Sequence, residues 1–184
     1  MALRAQGRKP SRKLNQGELW DFALRSLGQR EHSVSELRQK LCRRAESVSD
    51  VNATVARLVE SGLIDDRRFA EMYASTRLAE QGFGRQRVVH DLRGKQVPES
   101  LAKEAVARAY SDTDEASLIE AFLARKYRGK DLRAFLSEQK NLASAYRRLR
   151  LAGFGTSAIL AALKRHSAAA EDLPEPEDDS ADAL

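Results

Sequence analysis

The sequence predicts an all-α protein, an elongated, curved array of tandem helix–turn–helix units with about nine helices. Three observations lead there. Among 184 residues there are only 10 Gly and 4 Pro, while Ala, Leu, Arg and Glu, which lose little freedom in a helix, recur throughout. Apolar residues return at helical spacing almost everywhere, and no alternating apolar–polar stretch of useful length appears. The chain also repeats itself. Aligning Ser33, Gly84 and Gly155 brings Leu37, Val88 and Ile159 together four residues later, and Leu41, Leu92 and Leu163 eight later. Upstream, Ala23, Ala74 and Ala145 coincide, as do Leu27, Leu78 and Leu149, and His32, Phe83 and Phe154. The copies are 51 and 71 residues apart. Each unit alone has too little apolar surface to fold, so stacking must complete the core.

Taken in order, the first helix carries the stripe Trp20, Ala23, Leu24 and Leu27. The second starts at Ser33 with a capping box to Glu36 and turns Leu37 and Leu41 inward. Val51, Val55, Leu58 and Val59 line the third, which stops at Gly62. Asp65 caps a fourth with the stripe Phe69, Met72, Tyr73 and Thr76. Gly82 and Gly84 bracket a turn into a fifth, with Val88 and Leu92 inward. Pro98 opens a sixth through Leu101, Ala105, Val106 and Tyr110. Asp112 and Glu115 cap a seventh, in which Leu118, Ile119, Phe122 and Leu123 pack inside. Residues 129–137 hint only at a short turn of helix. The eighth carries Leu142, Ala145, Tyr146 and Leu149, and the ninth Ile159, Leu160 and Leu163.

Charge is divided unevenly. The net charge of +5 includes a segment, residues 171–184, with seven acids and no base. Residues 1–170 hold 32 bases against 20 acids, a net of +12, which attracts polyanions. Residues 1–15 read as a flexible basic arm and 170–184 as a disordered acidic tail. No apolar run approaches bilayer length, so a cytoplasmic protein away from membranes is expected. The single cysteine, Cys42, excludes an internal disulfide and reads as a small, partly buried apolar residue.

Residues 61–70, Ser-Gly-Leu-Ile-Asp-Asp-Arg-Arg-Phe-Ala, resemble a Gly-hydrophobic-hydrophobic-Asp-Asp-x-x-Phe-Ala signature of the RecX family. Gly82-Phe83-Gly84 followed by Arg87, Val88 and Leu92 is similar to a second family motif, and Leu149 to Ile159 with Gly153-Phe154 to a third. Leu24 to Leu41, with Arg30, Ser33 and Leu37, matches the opening motif, so the likeness spans residues 18–165 in order. Departures are Val88-Val89, where the family pattern has an Ile region, and the weak 129–137 segment. The resemblance implies nine helices in three three-helix repeats, over 16–64, 65–111 and 112–169. It also implies a regulator that binds the RecA–DNA filament and lowers RecA's recombinase, ATPase and coprotease activities.

No catalytic, cofactor or metal site is expected. Asp65-Asp66 has no third carboxylate or His near in sequence, and helix capping explains it better than metal or acid–base chemistry. Gly82-x-Gly84 is half a dinucleotide fingerprint without a preceding strand. His32, His90 and His166 are scattered. Asp65, Asp66, Phe69, Gly84, Gly153 and Phe154 are therefore structural.

The contact candidates are basic: Arg77, Arg85, Arg87, Arg93 and Lys95 in the middle unit, and Arg147, Arg148, Arg150 and Lys164 in the last. Singly, each is explained by solvation or pairing with Glu at i+4. Together, with so large an excess of base, they are expected to form a track for DNA phosphates and an acidic RecA surface. The expected partners are the RecA filament and single- and double-stranded DNA without sequence preference, bound by a monomer. The alternatives are a sequence-specific helix–turn–helix transcription factor and a scaffold that binds protein alone. The acidic segment is expected either to compete with phosphate or to solubilise.

Overall fold

A computed structural model describes residues 12–172, so most of the basic arm and of the acidic tail lies outside the described residues. Ten α-helices are described: α1 (Gln16–Gln29), α2 (Val34–Cys42), α3 (Val48–Glu60), α4 (Asp66–Thr76), α5 (Arg85–Gly94), α6 (Glu99–Ala109), α7 (Glu115–Lys126), α8 (Leu132–Leu136), α9 (Gln139–Leu151) and α10 (Thr156–Lys164). A π turn, Arg77–Gln81, extends α4, and a 3-10 turn, Ala168–Asp172, follows α10. Among the described residues there is no strand, only an isolated bridge between Leu14 and Ala45. The helix beyond the expected nine is α8, five residues capped by Asp131, in the segment where the sequence only hints at helix.

The chain forms two compact units, Met1–Phe69 with Lys95–Val97, and Ala70–Gly94 with Pro98–Leu184. In the first, α1, α2 and α3 pack on one another around Leu19, Ala23, Leu37, Leu41, Val51, Leu58 and Ile64. Asn15 caps α1 in a full capping box with Glu18. Leu14, in the segment read as an arm, exchanges backbone bonds with Arg44 (2.8 Å) and Glu46 (3.1 Å). Ser33 caps α2, but Glu36 does not reach back to complete a box; it pairs with Lys95 at 2.8 Å and Arg30 at 3.3 Å.

Several expected stripes are rotated. On α1 the buried residues are Leu19, Ala23 and Ser26, while Leu24 is exposed. Ser26 is compatible with the core because its hydroxyl donates to the Phe22 carbonyl at 2.8 Å, satisfying a group that is costly to bury unpaired. On α3, Thr54 is buried in place of Val59. Around α4, Phe69, Ala70 and Ala74 face inward, Tyr73 is half-buried, and Met72 and Thr76 point out. Cys42 is exposed rather than partly buried.

In the second unit, α5 packs on α6, and α10 on α7, α9 and the 3-10 turn. Its C-terminal core joins Ile119, Leu123, Leu136, Leu142, Ala145, Leu149, Phe154, Ile159 and Leu163. Ala170 is 1% exposed and belongs to this core, although the acidic tail was expected to start there. The cap of α7 is Asp114, whose carboxylate accepts from Ser117 N–H at 2.9 Å, rather than Asp112 or Glu115. Glu115 instead accepts the Gly155 amide at 2.9 Å.

One contact sets the unit's geometry. The Gly84 amide donates to the Ala152 carbonyl at 2.8 Å and the Gln86 amide to the Gly153 carbonyl at 3.1 Å. Two amides at the start of α5 thus meet two carbonyls just past the end of α9, so part of each helix terminus is satisfied without a side-chain cap. A Cβ on Gly84 would overlap the Gly153 backbone, and a Cβ on Gly153 would overlap the backbone of Arg87. Gly153 also has φ +86°, a conformation that costs glycine least.

Candidate nucleic-acid interface

Because the ends of α5 and α9 are joined, their outward side chains face a shared groove. It has a volume of about 860 Å³ and is lined by Arg85, Arg87, His90, Arg93, Lys103 and Arg150, with Val89, Leu151 and Gly153 supplying apolar surface. A second hollow of about 230 Å³ shares Arg87 and Leu151 and adds Arg148, Lys126, Phe83 and Phe122. One continuous strip of the second unit therefore carries seven Arg and Lys side chains: Arg85, Arg87, Arg93, Lys103, Lys126, Arg148 and Arg150.

Their electrostatic states differ. Arg87 pairs with Asp91 at 2.9 Å, while Arg93 and Lys103 share Glu99 at 3.8 and 2.7 Å. Those cations hold the exposed Glu99 carboxyl below its usual range, chiefly through the Lys103 hydrogen bond. Arg85 donates to the Tyr110 carbonyl at 2.7 Å and stacks over the Tyr110 ring. That ring is buried, which pushes its phenol up to about 12, and its hydroxyl donates to the Phe83 carbonyl at 2.8 Å. Arg150 donates to the Thr156 hydroxyl at 2.7 Å. Among the described residues no carboxylate pairs with Arg85, Lys126 or Arg148. No carboxylate neutralises their charge, which therefore draws polyanions most strongly.

Of the nine basic candidates, Arg85, Arg87, Arg93, Arg148 and Arg150 line this strip. Arg77 does not: its guanidinium lies over the Tyr73 ring and bonds Gln81 at 2.8 Å, within its own turn. Lys95 belongs to the first unit, paired with Glu36 and set over the Phe69 ring. Arg147 and Lys164 are exposed outside the strip. Lys103, Lys126, His90 and Leu151 were not foreseen. Leu151 left a signal, since it stands two residues from the buried Leu149 and cannot share its face; it is 71% exposed.

The structural set sits beneath this surface or in the first unit. Asp65 accepts from the amides of Arg67 at 2.8 Å and Arg68 at 3.4 Å. Asp66 reaches back to α2, where its carboxylate accepts from the Val34 backbone amide at 2.9 Å. Burial raises the Asp66 carboxyl above its usual range. Phe69 and Phe154 are buried, at 3% and 0%. Among the described residues no group of three or more His, Cys, Asp or Glu side chains could hold a metal. No helix there is long and apolar enough to cross a membrane.

Two family descriptions match the chain: the first three-helix domain of RecX over residues 20–58, and the second over residues 65–106. A regulatory protein RecX of Chlorobium phaeobacteroides is 34% identical over 129 residues, 65% of this chain and 83% of the relative. The chain belongs to the RecX family. A second RecX, from Vibrio vulnificus, is 31% identical over 78% of this chain and 89% of its own length. The crystal structure of RecX from Lactobacillus salivarius shares the fold, with a TM-score of 0.63 at 20% identity, over 82% of this chain and 95% of that one. The Asp65-Asp66 turn and the α5 motif fall within the second RecX domain. The groove joins that domain to residues beyond its match, those at the end of α9.

Proposed function

We propose that this chain is a cytoplasmic, monomeric, non-enzymatic regulator that binds the RecA–DNA filament and lowers RecA's recombinase, ATPase and coprotease activities. The observation that carries the reading is the strip of the second unit, where arginines and lysines from α5, α6, α7 and α9 converge on one surface. Phosphates are bound by such cations without reference to sequence. An apolar centre at Val89 and Leu151 adds surface suited to a protein, as a nucleoprotein filament would require.

The transcription-factor alternative has less support. A recognition helix reads bases with the residues of its N-terminal turn. Here the first amides of α5 are bonded to Ala152 and Gly153, those of α2 to Asp66 and Ser33, and Gly155 at the start of α10 to Glu115. The backbone of these helix starts is held within the protein; of their side chains, Arg85 and Arg87 of α5 face the groove, and as long cations they suit phosphates without reference to sequence.

The test is RecA's ATPase on single-stranded DNA with substoichiometric added protein. The rate is expected to fall. An unchanged rate at equimolar protein contradicts the proposal.

A further inference from the structure

The second unit has a cationic groove, and the same chain carries a segment of matching chemistry. We propose that residues 173–184 seat in the groove between α5 and α9, where they occupy the cations that a polyanion would otherwise take. The effect on nucleic acid rests on the function proposed above; the contact itself does not.

Four observations support the contact. The segment holds Glu175, Glu177, Asp178, Asp179 and Asp182 and no base. The groove and the hollow that adjoins it supply what these acids lack: Arg85 in the groove, and Lys126 and Arg148 in the hollow, have no carboxylate partner among the described residues. The groove is not purely ionic: Val89 and the outward Leu151 give it apolar lining, and the segment has Leu173 and Leu184 at its two ends. Last, the chain leaves the described structure from this same unit. Ala170 is buried in the core of this same unit, and the 3-10 turn that ends at Asp172 packs on α10. Twelve further residues span up to about 40 Å when extended, and a unit of about 100 residues is roughly 35 Å across. Fully extended, the segment is thus long enough to cross its own unit.

Tethering gives such a segment an effective concentration on the order of millimolar, whatever the protein concentration. Weak ionic contacts then suffice to fill the groove at low salt. A lone phosphate competes poorly against this occupant, whereas a polymer of phosphates displaces it. The segment thus acts as a threshold that favours dense, extended polyanions.

Carbodiimide cross-linking of the full chain at low salt, with mass-spectrometric mapping, tests the contact without reference to any partner. Links from the acids of 173–184 to Lys103 and Lys126 are expected, and excess oligonucleotide is expected to suppress them. Absence of those links, or equal linking to Lys40 and Lys140 outside the groove, overturns the proposal. A full-length variant with Glu175→Gln, Glu177→Gln, Asp178→Asn, Asp179→Asn and Asp182→Asn is expected to bind a labelled oligonucleotide about threefold to tenfold tighter at low salt, the gain vanishing as salt screens the contact. Equal affinity of the two proteins overturns the competition. Should neither bind the oligonucleotide, the proposed function fails, and the cross-links still decide where the segment sits.

Discussion

Gly84 and Gly153 lie backbone against backbone, with no room for a Cβ on either. The contact ties the first turn of α5 to the end of α9 through the Gly84–Ala152 and Gln86–Gly153 hydrogen bonds. Neither residue carries charge, yet this contact places Arg85 and Arg87 beside Arg150 and Leu151 in one groove.

Gly84→Ala and Gly153→Ala are each expected to destabilise the protein by about 2 kcal/mol or more, because the added methyl meets backbone rather than a movable side chain. Gly94→Ala is the control: it ends α5 with open space around it and is expected to stabilise by about 0.5–1 kcal/mol. Urea unfolding of the three variants measures the difference. Similar effects at Gly84 and Gly94 would contradict the close approach.

His32 introduces a pH dependence. It is 2% exposed, and its ring nitrogens have only weak partners, the Ser26 backbone and the Glu36 carboxylate 3.8 Å from Nδ1. Burial lowers its pKa from 6.5, and Arg30 and Lys40 lower it further, against the pull of Glu36. The unfolded chain therefore binds the proton more readily than the folded one, and stability falls as pH drops below about 6.5 towards the lower folded value. The equivalent repeat positions are Phe83 and Phe154. His32→Phe is expected to raise stability at pH 5.5 more than at pH 8, as read from thermal unfolding at both. An equal change at both pH values would count against the lowered pKa.

Asp66 holds the start of α2 by accepting the Val34 amide. Asp66→Ala leaves that amide unpaired and is expected to cost about 1–3 kcal/mol. Asp66→Asn keeps an acceptor and is expected to cost less. The ranking by chemical denaturation is the check, and equal losses would mean that the hydrogen bond contributes little.

The cations of the strip are expected to differ from paired ones elsewhere. Arg148→Ala should lower the salt dependence of single-stranded DNA binding by about 0.7 in log–log slope, as for one lost phosphate contact. Arg108, on α6, pairs with Glu71 and Glu104, and Arg108→Ala should leave the slope unchanged. Fluorescence anisotropy across a salt series distinguishes the two.

Much of this was legible in the sequence because it is local. The repeat alignment located Ala23, Ala74 and Ala145 and the pairs Leu37–Leu41, Val88–Leu92 and Ile159–Leu163, all of them fully buried. The stripes of α1 and α4 rotated because periodicity weighs large apolar side chains. Close packing instead selected Ala70, Ala74 and a hydrogen-bonded Ser26, while Leu24 and Met72 faced out. The site was only half legible. Arg85, Arg87, Arg93, Arg148 and Arg150 were singled out by charge, but no local rule separates them from Lys95, whose partner Glu36 is 59 residues away. Lys103 and Lys126 were hidden for the same reason: α6 and α7 reach the strip only through tertiary packing.

The most direct test compares the wild-type chain with an Arg85→Ala, Lys126→Ala, Arg148→Ala variant in co-sedimentation with RecA filaments on single-stranded DNA. Binding by the wild type and its loss in a variant of unchanged helical content is the expected result. Undiminished binding by the variant, or none by the wild type, would contradict the assignment of this surface to the filament.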